Sequence, residues 1–285
     1  MHTSLQKSSL PSGVTIEPRR MDFQAVTNKP RYWHPVAAFT HILTAASLFF
    51  PEGERFFVRS VQNYEHDISD PQLRKDMAGF MQQEVIHGEE HERFNYDIAD
   101  QGYPYLYGIE RFLVKGVFAN IRRFTSRQVQ LALTVCLEHV TATLAGALLK
   151  YPQLMDDAEP QYREIWNWHA VEESEHKAVA YDVYDAVGGS YWIRVTTLVL
   201  SSLFFLGLVL FVTGRMLHTD AKLFNREMVR ETKEYVSERM WIFKNVGKDF
   251  IQFFKRDFHP WQIDNRDDIE AWKKQQVAYA EQHQG

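Results

Sequence analysis

Apolar positions recur with the 3.6-residue period of an α-helix through most of the chain. The segment VAAFTHILTAASLFF (36–50) is apolar on nearly every side, as a buried helix requires, and Pro51 interrupts it. Helical pattern resumes around Glu54. Ser69-Asp70-Pro71 opens the next helix with proline in its first turn, and that helix is predicted to end near Asp100, ahead of Gly102 and Pro104. A shorter helix is expected at 109–122. Thr125 and Ser126 cap a helix that runs to about Lys150. Another opens at Glu159-Pro160 and stops at Gly188-Gly189. No stretch alternates with period two over a strand length, so the fold class is all-α.

The pattern divides the chain into four parts. Residues 1–32 are aperiodic and rich in Ser, Pro, Thr and Lys, and read as a loose arm. Residues 33–190 read as a four-helix bundle. Residues 191–217 form an apolar helix, with no charge in VTTLVLSSLFFLGLVLFVTG (195–214). That is long enough to cross a bilayer. A crossing would export a tail that begins with Arg215, Lys222, Arg226 and Arg230, against the positive-inside tendency. Three placements are therefore compatible with the segment: a span, burial in one leaflet, or burial in a homodimer or bundle core. Residues 218–285 form an amphipathic helical tail with aromatic and basic residues interleaved, broken at Phe258-His259-Pro260-Trp261.

Composition narrows the class. The chain has 285 residues, 45% of them hydrophobic, enough for a substantial core. A net charge of −5 excludes a nucleic-acid footprint. The one cysteine, Cys136, excludes an internal disulfide. No apolar run at the N-terminus resembles a signal peptide. The expectation is a cytoplasmic protein, attached to the inner face of the membrane if 195–214 is a lipid contact.

Two tetrads carry the candidate chemistry: Glu84-Val-Ile-His87 and Glu173-Ser-Glu-His176. Each follows a glutamate in an apolar helical stretch, Glu54 before the first and Glu138 before the second. Positions i and i+3 share a helix face, so each tetrad can offer a carboxylate and an imidazole to one metal. The spacings of 30 residues from Glu54 to Glu84 and 35 from Glu138 to Glu173 suit two helical hairpins, each crossing a bundle at mid-height. A single Glu-x-x-His arises readily by chance; two, each with a partner glutamate, are a stronger signal. Four carboxylates balance two divalent ions. Iron is the expected metal, with manganese or zinc as alternatives.

Two further histidines share these faces, His91 four residues after His87 and His169 four before Glu173. Each is a candidate additional ligand. Glu89, Glu90, Glu92, Glu172 and Glu175 point off the ligand face and are expected to be solvated or paired. Glu52 competes with Glu54, Glu65 lies about three turns away, and His259 is expected to be structural.

These motifs, with the PRRMDF segment (18–23) and the late DFHPW stretch (257–261), resemble a bacterial family of predicted metal-dependent hydrolases. The ligand order is also similar to that of ferritin-like di-iron oxygenases. The spacing of His169, Glu173 and His176 is similar to that in the p-aminobenzoate N-oxygenases, where an added histidine joins the di-iron site. The apolar segment and the tail depart from that group. The resemblance implies a dimetal enzyme, read first as a di-iron oxidase or oxygenase acting on a small or lipid-like apolar substrate with an electron donor the sequence does not name. The alternatives are a two-metal hydrolase of an ester or amide, and a ferritin-like metal-storage or oxygen-scavenging protein.

Overall fold

The structure, a computed structural model, describes residues 7–21, 23 and 30–283. The remainder of the predicted arm (1–6, 22 and 24–29) and residues 284–285 lie outside the described residues. Among those described, regular structure is entirely helical. In chain order it comprises α1 (Ala37–Ser47), α2 (Phe50–Gln62), α3 (Pro71–Asp100), α4 (Leu106–Phe112), a wide π-type turn at Leu113–Phe118, α5 (Ala119–Phe124) and α6 (Arg127–Lys150). It continues with α7 (Pro160–His176), α8 (Val179–Ala186), α9 (Tyr191–Thr219), α10 (Arg226–Glu238), α11 (Met240–Ile251) and α12 (Arg266–His283).

The helix starts follow local chemistry. The Asp70 carboxylate accepts a hydrogen bond from the Leu73 backbone N–H, with Pro71 at the first helical position of α3. The Ser126 hydroxyl caps α6 in the same way through Val129 N–H. Pro51 lies in the first turn of α2, so the break falls between α1 and α2 and leaves Glu54 inside a regular helix.

α2 packs along α3 and α6 along α7; α2 also meets α6, while α3 meets α7 and α8. Four helices thus surround one interior, lined outside the polar centre by Phe56, Met77, Phe80, Leu131, Val135 and Val183. One expected helix is split: α7 ends at His176 and α8 begins at Val179. At the break the buried Lys177 ammonium donates to Ile263 O and to Asn265 Oδ1, 2.7 Å away. A tertiary contact thus takes over where periodicity predicts continuity.

Among the described residues two helices, α6 and α9, are long and apolar enough to cross a membrane by length and composition. They differ in cover. Of the most apolar window, 61% is buried in α6 but only 17% in α9. One face of α9 packs on α1 and α6, burying Leu198, Val209, Val212 and Met216. The other leaves Leu200, Leu203, Leu206, Leu210 and Phe211 exposed.

The described part of the N-terminal arm is aperiodic, as its composition predicts, but it is bonded to the helices. Ser9 donates to Asp182 Oδ2 from its backbone N–H at 2.8 Å and its hydroxyl at 2.6 Å, and the Ser8 hydroxyl donates to Asp76. Arg19 reaches further, into the polar centre.

Candidate metal centre

The four central helices bring the tetrads together. Glu54 comes from α2, Glu84 and His87 from α3, Glu138 from α6, and His169, Glu173 and His176 from α7. All seven side chains are buried. Among the described residues three groups converge: Glu54, His87 and His169; Glu84, Glu138 and His176; and Glu84, His87 and Glu173. Within each group the donor atoms lie within 4.8 Å of one another. The Glu173 carboxylate stands between the two ends. Its Oε1 is 3.1 Å from His169 Nε2 and 3.5 Å from both His87 Nδ1 and His176 Nε2.

Gly88 permits this approach. A Cβ at Gly88 would lie 3.1 Å from Glu54 Oε2 and 3.5 Å from the Pro51 carbonyl oxygen, so its absence lets α2 lie close to α3 with Glu54 against the turn that carries Glu84 and His87.

Electrostatics make the cluster a favourable place for cations. Among the described residues, both carboxylate oxygens of Glu54, Glu84 and Glu138, together with Glu173 Oε2, His87 Nδ1 and His176 Nε2, are buried without a well-directed hydrogen bond, although His176 Nε2 lies at ion-pair distance, 3.0 Å, from Glu84 Oε1. Unpaired polar groups are costly in an interior, and charged ones more so. Burial, reinforced by neighbouring carboxylates, pushes Glu54 and Glu138 well above the ordinary carboxylate range and raises Glu84. Burial also opposes the charge of Glu173, but His176, His169 and His87 together hold it well below the usual range. Oxygen and imidazole donors without a thiolate suit iron, manganese or zinc, and two divalent ions would offset four carboxylates.

A surrounding set of bonds fixes the donors. His87 Nε2 faces Glu172 Oε2 at 3.0 Å, which turns Nδ1 inward. Glu172 also takes the Arg19 backbone N–H at 3.0 Å and its guanidinium at 3.1 Å. His176 Nδ1 lies 2.9 Å from Gln83 Oε1, which turns Nε2 inward. Gln83 donates to Glu175, and Glu175 pairs with Arg19 and with Lys273 of α12. Ligating histidines are commonly oriented through their second nitrogen in this way.

His91 lies one step out from the converging donors. The Asn95 amide nitrogen donates to Ser47 O at 3.0 Å, which directs Asn95 Oδ1 toward the Ser47 hydroxyl, its donor at 2.7 Å. That hydroxyl oxygen, 2.8 Å from His91 Nδ1, then accepts from it. His91 Nε2 is left to accept from His169 Nδ1 at 2.7 Å. The chain of donors leaves His169 Nε2 with a free lone pair. Burial, then the neighbouring His169 and His87, hold His91 well below its usual pKa, consistent with a neutral ring.

Other expectations are corrected or refined. Of the two outcomes expected for Glu172 and Glu175, solvated or paired, the second is found: both are fully buried and pair with Arg19. Glu90 is buried and pairs with Arg93, while Glu89 pairs with Arg20 and Glu92 with Arg55. Glu52 faces Arg122 at 2.7 Å, which leaves Glu54 to the centre, and Glu65 is exposed. His259 pairs with Asp182 at 2.9 Å, away from the glutamates. Arg19, Gln83 and Ser47 carry no assignment from the sequence, and the part Glu172 plays beside His87 goes beyond the expected pairing. A usable signal existed for two: three acids crowded onto an α7 that carries two tryptophans demand a counter-charge, and Arg19 sits in an arm with few other reasons to be ordered.

Fold and site together define an all-helical protein with glutamate–histidine clusters able to bind metal ions. A family model described as predicted metal-dependent hydrolase matches residues 17–264, and the chain belongs to that family. No curated protein and no solved structure matches it.

Proposed function

We propose that the chain is a two-metal enzyme that hydrolyses an ester or amide. Membership of a family described as metal-dependent hydrolases supports this, and so does the convergence of donor groups that share Glu84. Two divalent ions held there would supply Lewis acidity toward a carbonyl oxygen and a water of lowered pKa. The chain's own residues have separable tasks: Glu84 and Glu173 link the two ends, Glu172 and Gln83 orient the histidine rings, and the packed helices exclude bulk solvent.

The donor order supports a second reading. One glutamate from each of two helices plus Glu-x-x-His from each of two others is the pattern of ferritin-like di-iron carboxylate proteins. In that reading the chain oxidises an apolar substrate with dioxygen. One experiment separates the two. Ester turnover by zinc- or manganese-loaded protein without oxygen, lost in Glu173→Ala, supports hydrolysis. Stoichiometric oxygen uptake by ferrous-loaded protein, without hydrolysis under any loading, overturns it in favour of oxidation.

We further propose that the exposed face of α9 lies in one leaflet at the inner face of a membrane. The support is its run of exposed leucines and Phe211, with Leu200 and Phe204 sharing an apolar groove with Val117, Phe118 and Ile121 of the basic segment 111–124. Retention on carbonate-washed membranes supports this placement. Release as a soluble dimer shows instead that a second copy covers the face.

A further inference from the structure

The histidine-rich end of the centre borders an apolar chamber. A cavity of about 120 Å³ is walled by α1, the start of α2, α6, α7, α9 and α11, and His169 and Ala170 form part of its inner wall. Phe50 stacks on the His169 ring with centroids 4.9 Å apart, and Trp166 packs edge-on to Phe50 at 6.1 Å. At the outer side the chamber is lined by Leu144 and Phe243, both exposed. Polar atoms on its wall are few. Thr141 Oγ1 is bonded to the Glu138 carbonyl, and the His169 nitrogens face His91 and Glu173. The Trp166 indole N–H is buried without a partner among the described residues.

We propose that this chamber is the substrate pocket, taking an apolar group the size of one aromatic ring or a short branched alkyl chain that carries a single hydrogen-bond acceptor for Trp166. The inference rests on the dimetal reading above but on neither reaction class. Size argues for it: an apolar cavity of about 150 Å³ holds benzene. Chemistry argues for it too. A space bounded by Phe50, Trp166 and leucines offers no compensation to a charged or strongly hydrated group, so such groups are rejected by desolvation. Position argues for it, because an occupant would lie against His169, on the donor end formed with Glu54 and His87.

The test uses fluorobenzene and fluorine NMR on the full chain, with metal content measured first. Saturable binding to zinc-loaded protein is expected. Manganese-loaded protein should show strong paramagnetic broadening of the bound ring. Ala145→Phe, which fills the chamber from α6, should weaken binding at least tenfold and leave metal content unchanged. Leu148→Ala enlarges the same wall and should tighten binding of fluoronaphthalene at least threefold, which keeps the test decisive if the first variant fails to fold. Binding without manganese broadening, binding unaffected by both variants, or no binding at full metal content overturns the pocket alone. Absence of bound metal overturns the dimetal reading, and the assignment of the chamber as a substrate site falls with it.

Discussion

At one end of the centre Glu54, His87 and His169 converge; at the other, Glu84, Glu138 and His176 do. The two hairpins supply matching donors in matching order, yet the ends are built differently. The outward nitrogen of His87 meets a carboxylate, Glu172, whereas that of His176 meets the neutral amide of Gln83. A carboxylate partner makes an imidazole the stronger donor. Burial disfavours charge on His87, but Glu172 and Glu173 outweigh it and push its pKa up to about 10. Burial and then His87 hold the neighbouring His169 down to about 4. Phe50 stacks on His169 beside the apolar chamber, while Phe80 closes edge-on over His176. Repetition of a hairpin can thus set up two donor clusters, and the residues around them make their surroundings unequal.

The sharpest way to break this comparison is through the carboxylate between the ends. Glu173 lies within 3.5 Å of His87 and His176 and closer still to His169. Glu173→Ala is expected to empty both positions, and Glu138→Ala only the one shared with Glu84 and His176. Metal analysis of the purified variants reads this directly. If Glu138→Ala loses both metals equally, the ends are not separable.

Gly88→Val comes next. Its added atoms would press on Glu54 Oε2 and the Pro51 carbonyl, so α2 must move or Glu54 must turn away. Overpacking of this kind costs about 1–3 kcal/mol. Denaturant unfolding should show that loss, and metal should be weakened at the Glu54 end alone. A smaller effect is expected from Glu172→Ala. Removal of such an orienting partner lowers metal affinity about 10–100-fold. The same measurement on Gln83→Ala should give a smaller loss, at the other end, because an amide is a weaker partner than a carboxylate.

The helices that carry the clustered glutamates and histidines were legible because the signals are local. Spacing of Glu84 and His87, proline at position 71 and the cap at Ser126 all act within a few residues. The surrounding bonds were not legible, because they join residues far apart in sequence. Arg19 meets Glu172 across 153 residues, and Ser47 meets His91 across 44. Periodicity assigns Glu172 to a side face of α7 and leaves open whether water or an arm covers that face. The same gap explains α6 and α9. Both are long and apolar, but α6 is covered by α2, α7 and α9, whereas α9 is covered on one side only. Hydrophobicity says that a face needs cover; only packing says what provides it.

Ser47→Ala should have the smallest effect, and the most directional one. The Ser47 hydroxyl sets the proton on His91 Nδ1, which makes His91 Nε2 the acceptor for His169 Nδ1–H. Without it His91 can adopt the other tautomer, and His169 loses the bond that turns its Nε2 lone pair inward. A net hydrogen bond is worth about 1 kcal/mol, so affinity at the His169 end should fall about fivefold, with the His176 end unchanged. Competitive titration with a chelator, resolving two classes of bound metal, measures both. Equal weakening at the two ends would mean that the substitution acts through general packing of α1, and that the serine–histidine–histidine chain does not set the asymmetry.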